Sequence, residues 1–146
     1  MFEAIEVGCF AIAGYSGTPL WKKLGYKTEM SAYIDGGPSN YRSLLALPAD
    51  VGVTWLPRAK SDMEFVHLFA TSNSKLKRKL EYYRERIVPG GVIWVSWPKK
   101  SSGVKSDITE DVIRAVALPM GLVDVKVCAV DEVWSGLKLV IRRTAR

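Results

Sequence analysis

The sequence has little of the chemistry that usually marks a site. One histidine, His67, and two cysteines, Cys9 and Cys128, stand in 146 residues, and none neighbours another at ligand spacing, so no metal centre is expected. Two thiols in a chain that is 48% hydrophobic read as reduced, buried side chains rather than as a disulfide. No serine carries the flanking glycines of a nucleophile elbow, which leaves nucleophilic catalysis without support. Long apolar runs are missing as well: none approaches the roughly 20 residues of a membrane span. Met1-Phe2-Glu3-Ala4-Ile5-Glu6 has two acids where a secretory signal would have Lys or Arg. A soluble, cytoplasmic protein with no membrane contact is the expectation.

What is present is apolar content enough for one domain over residues 1–146, with residues 1–13 as an N-terminal extension or edge segment. The net charge of +6 favours an anionic partner or surface. Much of the excess lies between Lys75 and Arg86 and on Arg142, Arg143 and Arg146, so it fits a nucleic-acid-associated module and a solvated helix face alike.

Val92 to Trp97 is apolar, β-branched and aromatic, and stands between Pro89-Gly90-Gly91 and Pro98, the pattern of a central strand buried on both faces. Other short strands are predicted at Met30 to Ile34, Val51 to Leu56 and Phe65 to Ala70. Helices are predicted at Pro19 to Leu24, with Thr18 as cap and Pro19 in the first position, and at Tyr41 to Leu47. A longer one follows the N-cap cluster Thr71-Ser72-Asn73-Ser74 and places Leu76, Leu80, Tyr83 and Ile87 on one side. Asp107 with Glu110 predicts a capped helix to Leu118. Alternation at Val123, Val125 and Val127, and again at Leu137, Leu139 and Ile141, predicts a terminal antiparallel hairpin whose odd-numbered side chains are buried. The whole reads as α/β: a single Rossmann-like three-layer domain, its sheet mostly parallel and of about six strands.

From Leu76 onward, the order of helix, Pro-Gly-Gly turn, strand, loop, helix, strand and final antiparallel strand resembles the second half of class I methyltransferases. In wording, Gly14-Tyr15-Ser16-Gly17-Thr18-Pro19-Leu20, Val66-His67-Leu68-Phe69-Ala70-Thr71-Ser72, Trp94-Val95-Ser96-Trp97-Pro98-Lys99-Lys100 and Val123 through Val140 are similar to an uncharacterised bacterial family, a domain of unknown function. That likeness covers most of residues 13–143 and implies no activity. The methyltransferase resemblance implies S-adenosylmethionine, held by a glycine-rich loop after the first strand and an acid at the end of the second. Asp35-Gly36-Gly37 offers a fragment of that loop, Pro38 removes a backbone N–H from it, and Trp55-Leu56-Pro57-Arg58 has no acid. Thr71-Ser72-Asn73 stands where the resemblance implies an Asn/Asp-Pro-Pro-aromatic motif, and only polar character remains. The reading is a non-catalytic or vestigial domain with no cofactor; a small S-adenosylmethionine-dependent methyltransferase-like enzyme is the alternative.

In an open parallel sheet the strands end on one edge, and ligands sit there. Three polar loops populate that edge: Asp35, Gly36, Gly37 and Ser39; Thr71, Ser72 and Asn73; and Lys99 with Lys100. Together they are candidates for a small anionic ligand, and equally they read as capped turns with solvated lysines. A second candidate loop is Gly14, Ser16, Gly17 and Thr18, which reads either as a loop that caps the Pro19 helix or as one whose backbone N–H groups suit an anion. Trp134, at the predicted hairpin loop beside Asp131 and Glu132, either packs on the core or meets a protein partner. His67, set among Phe65, Leu68 and Phe69, reads as a neutral core histidine.

Overall fold

The computed structural model describes residues 17–146. Its strands are β1 (Met30–Asp35), β2 (Val53–Trp55), β3 (Met63–Phe69), β4 (Ile87–Pro98), β5 (Leu122–Ala129) and β6 (Trp134–Ile141). They form one sheet in the order β2, β1, β3, β4, β6, β5. The first four are parallel, and β6 runs antiparallel to both β4 and β5. The helices are α1 (Leu20–Leu24), α2 (Tyr41–Leu45), α3 (Asn73–Arg84) and α4 (Glu110–Ala117).

Strand periodicity explains the layers, because successive side chains point to opposite faces. Val66, Leu68, Ile93, Val95, Leu137 and Leu139 meet Leu76, Leu80 and Tyr83 of α3 and Ile113 and Ala117 of α4. Phe65, Phe69, Ala32 and Trp94 meet Leu20 and Leu24 of α1 and Tyr41 and Leu45 of α2 on the other side. The result is a three-layer α/β domain with helices on both faces.

Four local expectations need correction. Pro89-Gly90-Gly91 does not bound the central strand; β4 begins at Ile87, and the ladder pairs Met63 with Ile87 but Phe65 with Val92, so the segment is a bulge inside the strand. Gly91 is needed there, since a Cβ would stand 2.9 Å from the Val88 carbonyl oxygen. The helix before α2 begins at Leu20, with Pro19 at its N-cap. Asp107 does not cap α4: Thr109 Oγ1 accepts from the Val112 N–H at 3.2 Å, while Asp107 turns to α3.

The hairpin forms, but its burial differs between strands. Leu137, Leu139 and Ile141 are buried. On β5 the register shifts between Asp124 and Lys126, and Val125 and Val127 remain 54% and 45% exposed. The reason is position: after the bulge Val127 lies opposite buried Leu137, but β5 is the sheet edge, where a side chain has a neighbouring strand on one side only.

Candidate functional site

From β1 the chain passes to β2 on one side and then to β3 on the other, so the strand order reverses at the carboxyl ends of β1 and β3. That is where an open α/β sheet leaves a crevice. Because β1, β3 and β4 are mutually parallel, the loops after Asp35, Phe69 and Pro98 all leave the same edge.

The contacts divide those loops. Asp35 is drawn to α3, where its carboxylate accepts from Lys79 Nζ at 2.9 Å and from Tyr83 OH at 2.6 Å. Burial and the Asp35 carboxylate both hold the Tyr83 hydroxyl above the usual tyrosine range. At α3, Ser72 Oγ accepts from the Lys75 N–H at 3.3 Å and Asp107 Oδ1 from the Asn73 N–H at 2.7 Å. A carboxylate of the chain itself therefore sits where an incoming anion would bind. Thr71 contributes its carbonyl to the Asp107 N–H. Lys99 Nζ donates to the Asp131 carbonyl at 2.7 Å, and burial lowers its pKa; Lys100 is exposed. Between the glycine loop and Lys99 stands an aromatic wall: Gly37 abuts Phe69, and Phe69 meets the half-buried Trp134 edge-on at 5.0 Å. Gly17 and Thr18 are exposed before α1; Gly14 and Ser16 lie outside the described residues.

A cleft of about 470 Å³ opens between β1, α2 and β2, lined by Ser39, Asn40, Arg42, Ser43 and Trp55, among others, with no carboxylate. The Arg42 guanidinium lies over the Trp55 ring at 4.7 Å, a cation–π arrangement. Gly36, Gly37 and Ser39 line this cleft; Thr71, Ser72, Asn73, Lys99 and Lys100 do not. Sequence reasoning missed Arg42 and Trp55. An exposed Arg on a short helix carries no signal by itself, and Trp55 was considered only as the place where an acid was lacking.

Tyr41, at the cleft floor, begins a second feature. Its hydroxyl bonds Tyr26 OH at 2.7 Å and His67 Nδ1 at 2.7 Å, and His67 Nε2 bonds Ser96 Oγ at 2.7 Å. A neutral imidazole donates from one nitrogen and accepts at the other, so the protons of this chain all run in one sense or all in the other. Burial drives the His67 pKa down to about 3 and lifts both tyrosines far above their ordinary range. Each hydroxyl and ring nitrogen is satisfied, and no member is poised to take a proton near neutral pH. His67, completely buried and stacked on Phe69 at 4.3 Å, is the core histidine its surroundings predicted.

The residues present do not fit S-adenosylmethionine held by a glycine loop and a ribose-binding acid. A Cβ on Gly36 would meet the Phe69 carbonyl oxygen at 3.3 Å, and one on Gly37 the Ile34 side chain at 2.8 Å. The glycines thus admit Phe69 rather than leave a cradle. Among the described residues, no group of His, Cys, Asp or Glu is placed to hold a metal ion, and no helix is long and apolar enough to cross a membrane.

No protein-family model matches the chain, and no curated protein matches it in sequence. Solved structures do. The chain is similar to a SAM-dependent methyltransferase from Aquifex aeolicus, with a TM-score of 0.56 at 12% identity over 82% of this chain and 87% of that one. It is similar to the ribosomal protein L11 methylase from Lactobacillus delbrueckii subsp. bulgaricus, with a TM-score of 0.52 at 8% identity over 84% and 75%. A variant of LepI in complex with SAH and a substrate analogue gives 0.53 at 12% identity, over 86% of this chain and 47% of LepI. At such identities the likeness establishes the fold: a Rossmann-like domain of the class I methyltransferase type.

Proposed function

We propose that this chain is a binding domain built on the methyltransferase fold, and that it takes a small organic anion in the cleft between β1, α2 and β2. The lining carries this reading: a guanidinium, a flat indole and the polar side chains of Ser39, Asn40 and Ser43, with no carboxylate to repel an anion. Arg provides charge and a planar fork for a phosphate or carboxylate, and Trp55 provides an apolar wall for a ring. Lys99 and Lys100 share the edge and add positive field. The second reading, S-adenosylmethionine-dependent methyl transfer, is favoured by the fold alone, through neighbours such as the Aquifex aeolicus enzyme and the SAH-bound LepI variant.

Calorimetric titration separates the two. AMP, used as a ring-bearing anionic probe, is expected to bind at micromolar level, and Arg42→Gln to weaken it by about tenfold or more, as for loss of one charge-assisted hydrogen bond. SAM and SAH are expected to give no heat. Micromolar binding of SAM, with AMP silent, overturns the proposal in favour of the methyltransferase reading.

A further inference from the structure

On the α1/α2 face of the β5–β6 hairpin, among the described residues, lysines stand beside the end of α1. Lys126 of β5 lies directly opposite Lys138 of β6, and Lys138 lies opposite Trp94 of β4. Paired positions in a ladder share a face, so the two ammonium groups project side by side, an arrangement that destabilises a sheet when nothing offsets it. The end of α1 closes over this row. Trp94 Nε1 donates to the Leu24 carbonyl at 2.8 Å, and Lys126 Nζ donates to the Lys23 carbonyl at 2.8 Å. Lys23 and Lys27 are thereby brought to the same place.

Electrostatics point the same way. Among the described residues, the charges that act on half-buried Lys138 are Lys126 and Lys27, both positive; burial first and these two after it lower its pKa. Those acting on Cys128, next along the face, are Lys126 and Lys23. The basic residues of α3 are distributed differently: Lys79 is bonded to Asp35, and Lys77 and Arg78 are exposed on the opposite layer. The hairpin cluster joins Lys23 and Lys27 to two lysines of the hairpin, Lys126 lying 103 residues from Lys23. A repulsive cluster partly withdrawn from water is the arrangement a multivalent anion stabilises, since among the described residues each ammonium keeps donors for it; even Lys126 uses one of three there.

We propose that Lys23, Lys27, Lys126 and Lys138 form a site for a ligand carrying two or more phosphate groups, separate from the Arg42 cleft. The shared chemistry has two sources, a free oligophosphate and the backbone of a single-stranded nucleic acid. The test titrates the full chain with inorganic tripolyphosphate and, in a second arm, with a short single-stranded RNA, following affinity and melting temperature. The Lys126→Gln/Lys138→Gln variant is expected to lose tripolyphosphate affinity by about tenfold or more, as for two ion contacts. Without ligand it should melt no lower than the parent, because a repulsion has been removed. Lys77→Gln/Arg78→Gln on α3 should bind tripolyphosphate like the parent. If RNA is the source, the parent binds it, and the slope of affinity against salt falls by about 1.4 in the double variant; if RNA is silent while tripolyphosphate binds, the free ligand is the source. Should the double variant fold poorly, Lys126→Gln alone, at an exposed position, must still weaken binding. The proposal is overturned if neither ligand binds the parent, or if the α3 variant loses as much affinity as the hairpin variant, which would make the effect one of net charge.

Discussion

The two faces of the sheet are built from different materials. Under α3 and α4 the packing is almost wholly aliphatic, with Leu76, Leu80, Ile93, Val95, Ile113 and Leu137 fully or nearly fully buried. Under α1 and α2 it is aromatic and polar: Tyr26, Tyr41, Phe65, Phe69 and Trp94 surround the chain of hydroxyls and imidazole that ends at Ser96. Two helices of 5 residues each cover that side, against helices of 12 and 8 residues on the other. Short helices bring few side chains, so large rings and directed hydrogen bonds must hold the layer together. The cleft and the lysine cluster both lie on the thinner face. The thick face buries the longer helices, and the thin face is the one on which both proposed ligands would sit.

Three measurements would sharpen or break this contrast. The largest effect is expected on the thick face: Leu80→Ala should cost about 3 kcal/mol of unfolding free energy in a denaturant titration, the range for a fully buried leucine that leaves a cavity. A loss below about 1 kcal/mol would mean that α3 is not the stabilising layer.

Next is the thin face under acid. His67 titrates near 3 when folded, against an ordinary 6.5. The unfolded chain therefore takes up the proton first, and stability present above pH 6.5 falls progressively toward pH 3. Between pH 7 and pH 5 the loss from this one group is about 2 kcal/mol. Replacement by Gln, which keeps a polar contact without a titrating ring, should flatten that part of the profile. An unchanged slope in His67→Gln would show that the ring is protonated in the native state or that another group dominates.

The smallest effect is expected where the thick face runs out. Val127 is 45% exposed although its neighbour across the ladder, Leu137, is fully buried. Val127→Asp should shift stability by no more than about 0.5 kcal/mol, as for surface substitutions. A loss of several kcal/mol would put Val127 under cover and restore the strict alternation of the hairpin.

Much of the architecture was legible because it rests on local patterns. Leu76, Leu80 and Tyr83 recur at helical spacing, and they are the residues α3 buries. Ser72 stood in a run of capping residues and does cap that helix. The candidate loops were legible to the extent that parallel strands must end together: Asp35 ends β1, and Thr71 and Lys99 follow β3 and β4, all on one edge. The surroundings of each loop were not. Nothing near Asp35 in the chain announces Lys79 and Tyr83, which lie 44 and 48 residues away. Nothing near Asn73 announces Asp107, which is 34 residues away. Arg42 over Trp55 is likewise a contact between separate elements.

By itself the sequence determined the class of the fold and which loops leave the shared edge of the parallel strands, because hydrophobic period, caps and strand runs act over a few residues and survive without knowledge of neighbours. It also determined that His67 would be buried, since a histidine within Phe65 to Phe69 shares the strand's apolar surroundings. Tertiary structure decided what surrounds each of those loops. It turned Asp107 onto one helix start, tied Asp35 to α3, filled the space before Gly36 and Gly37 with Phe69, left Val127 at an uncovered edge, and set Lys126 against Lys138. Each outcome depends on which side chain arrives from across the sheet, and charge and hydrogen-bond partners act over ångströms in space regardless of separation along the chain.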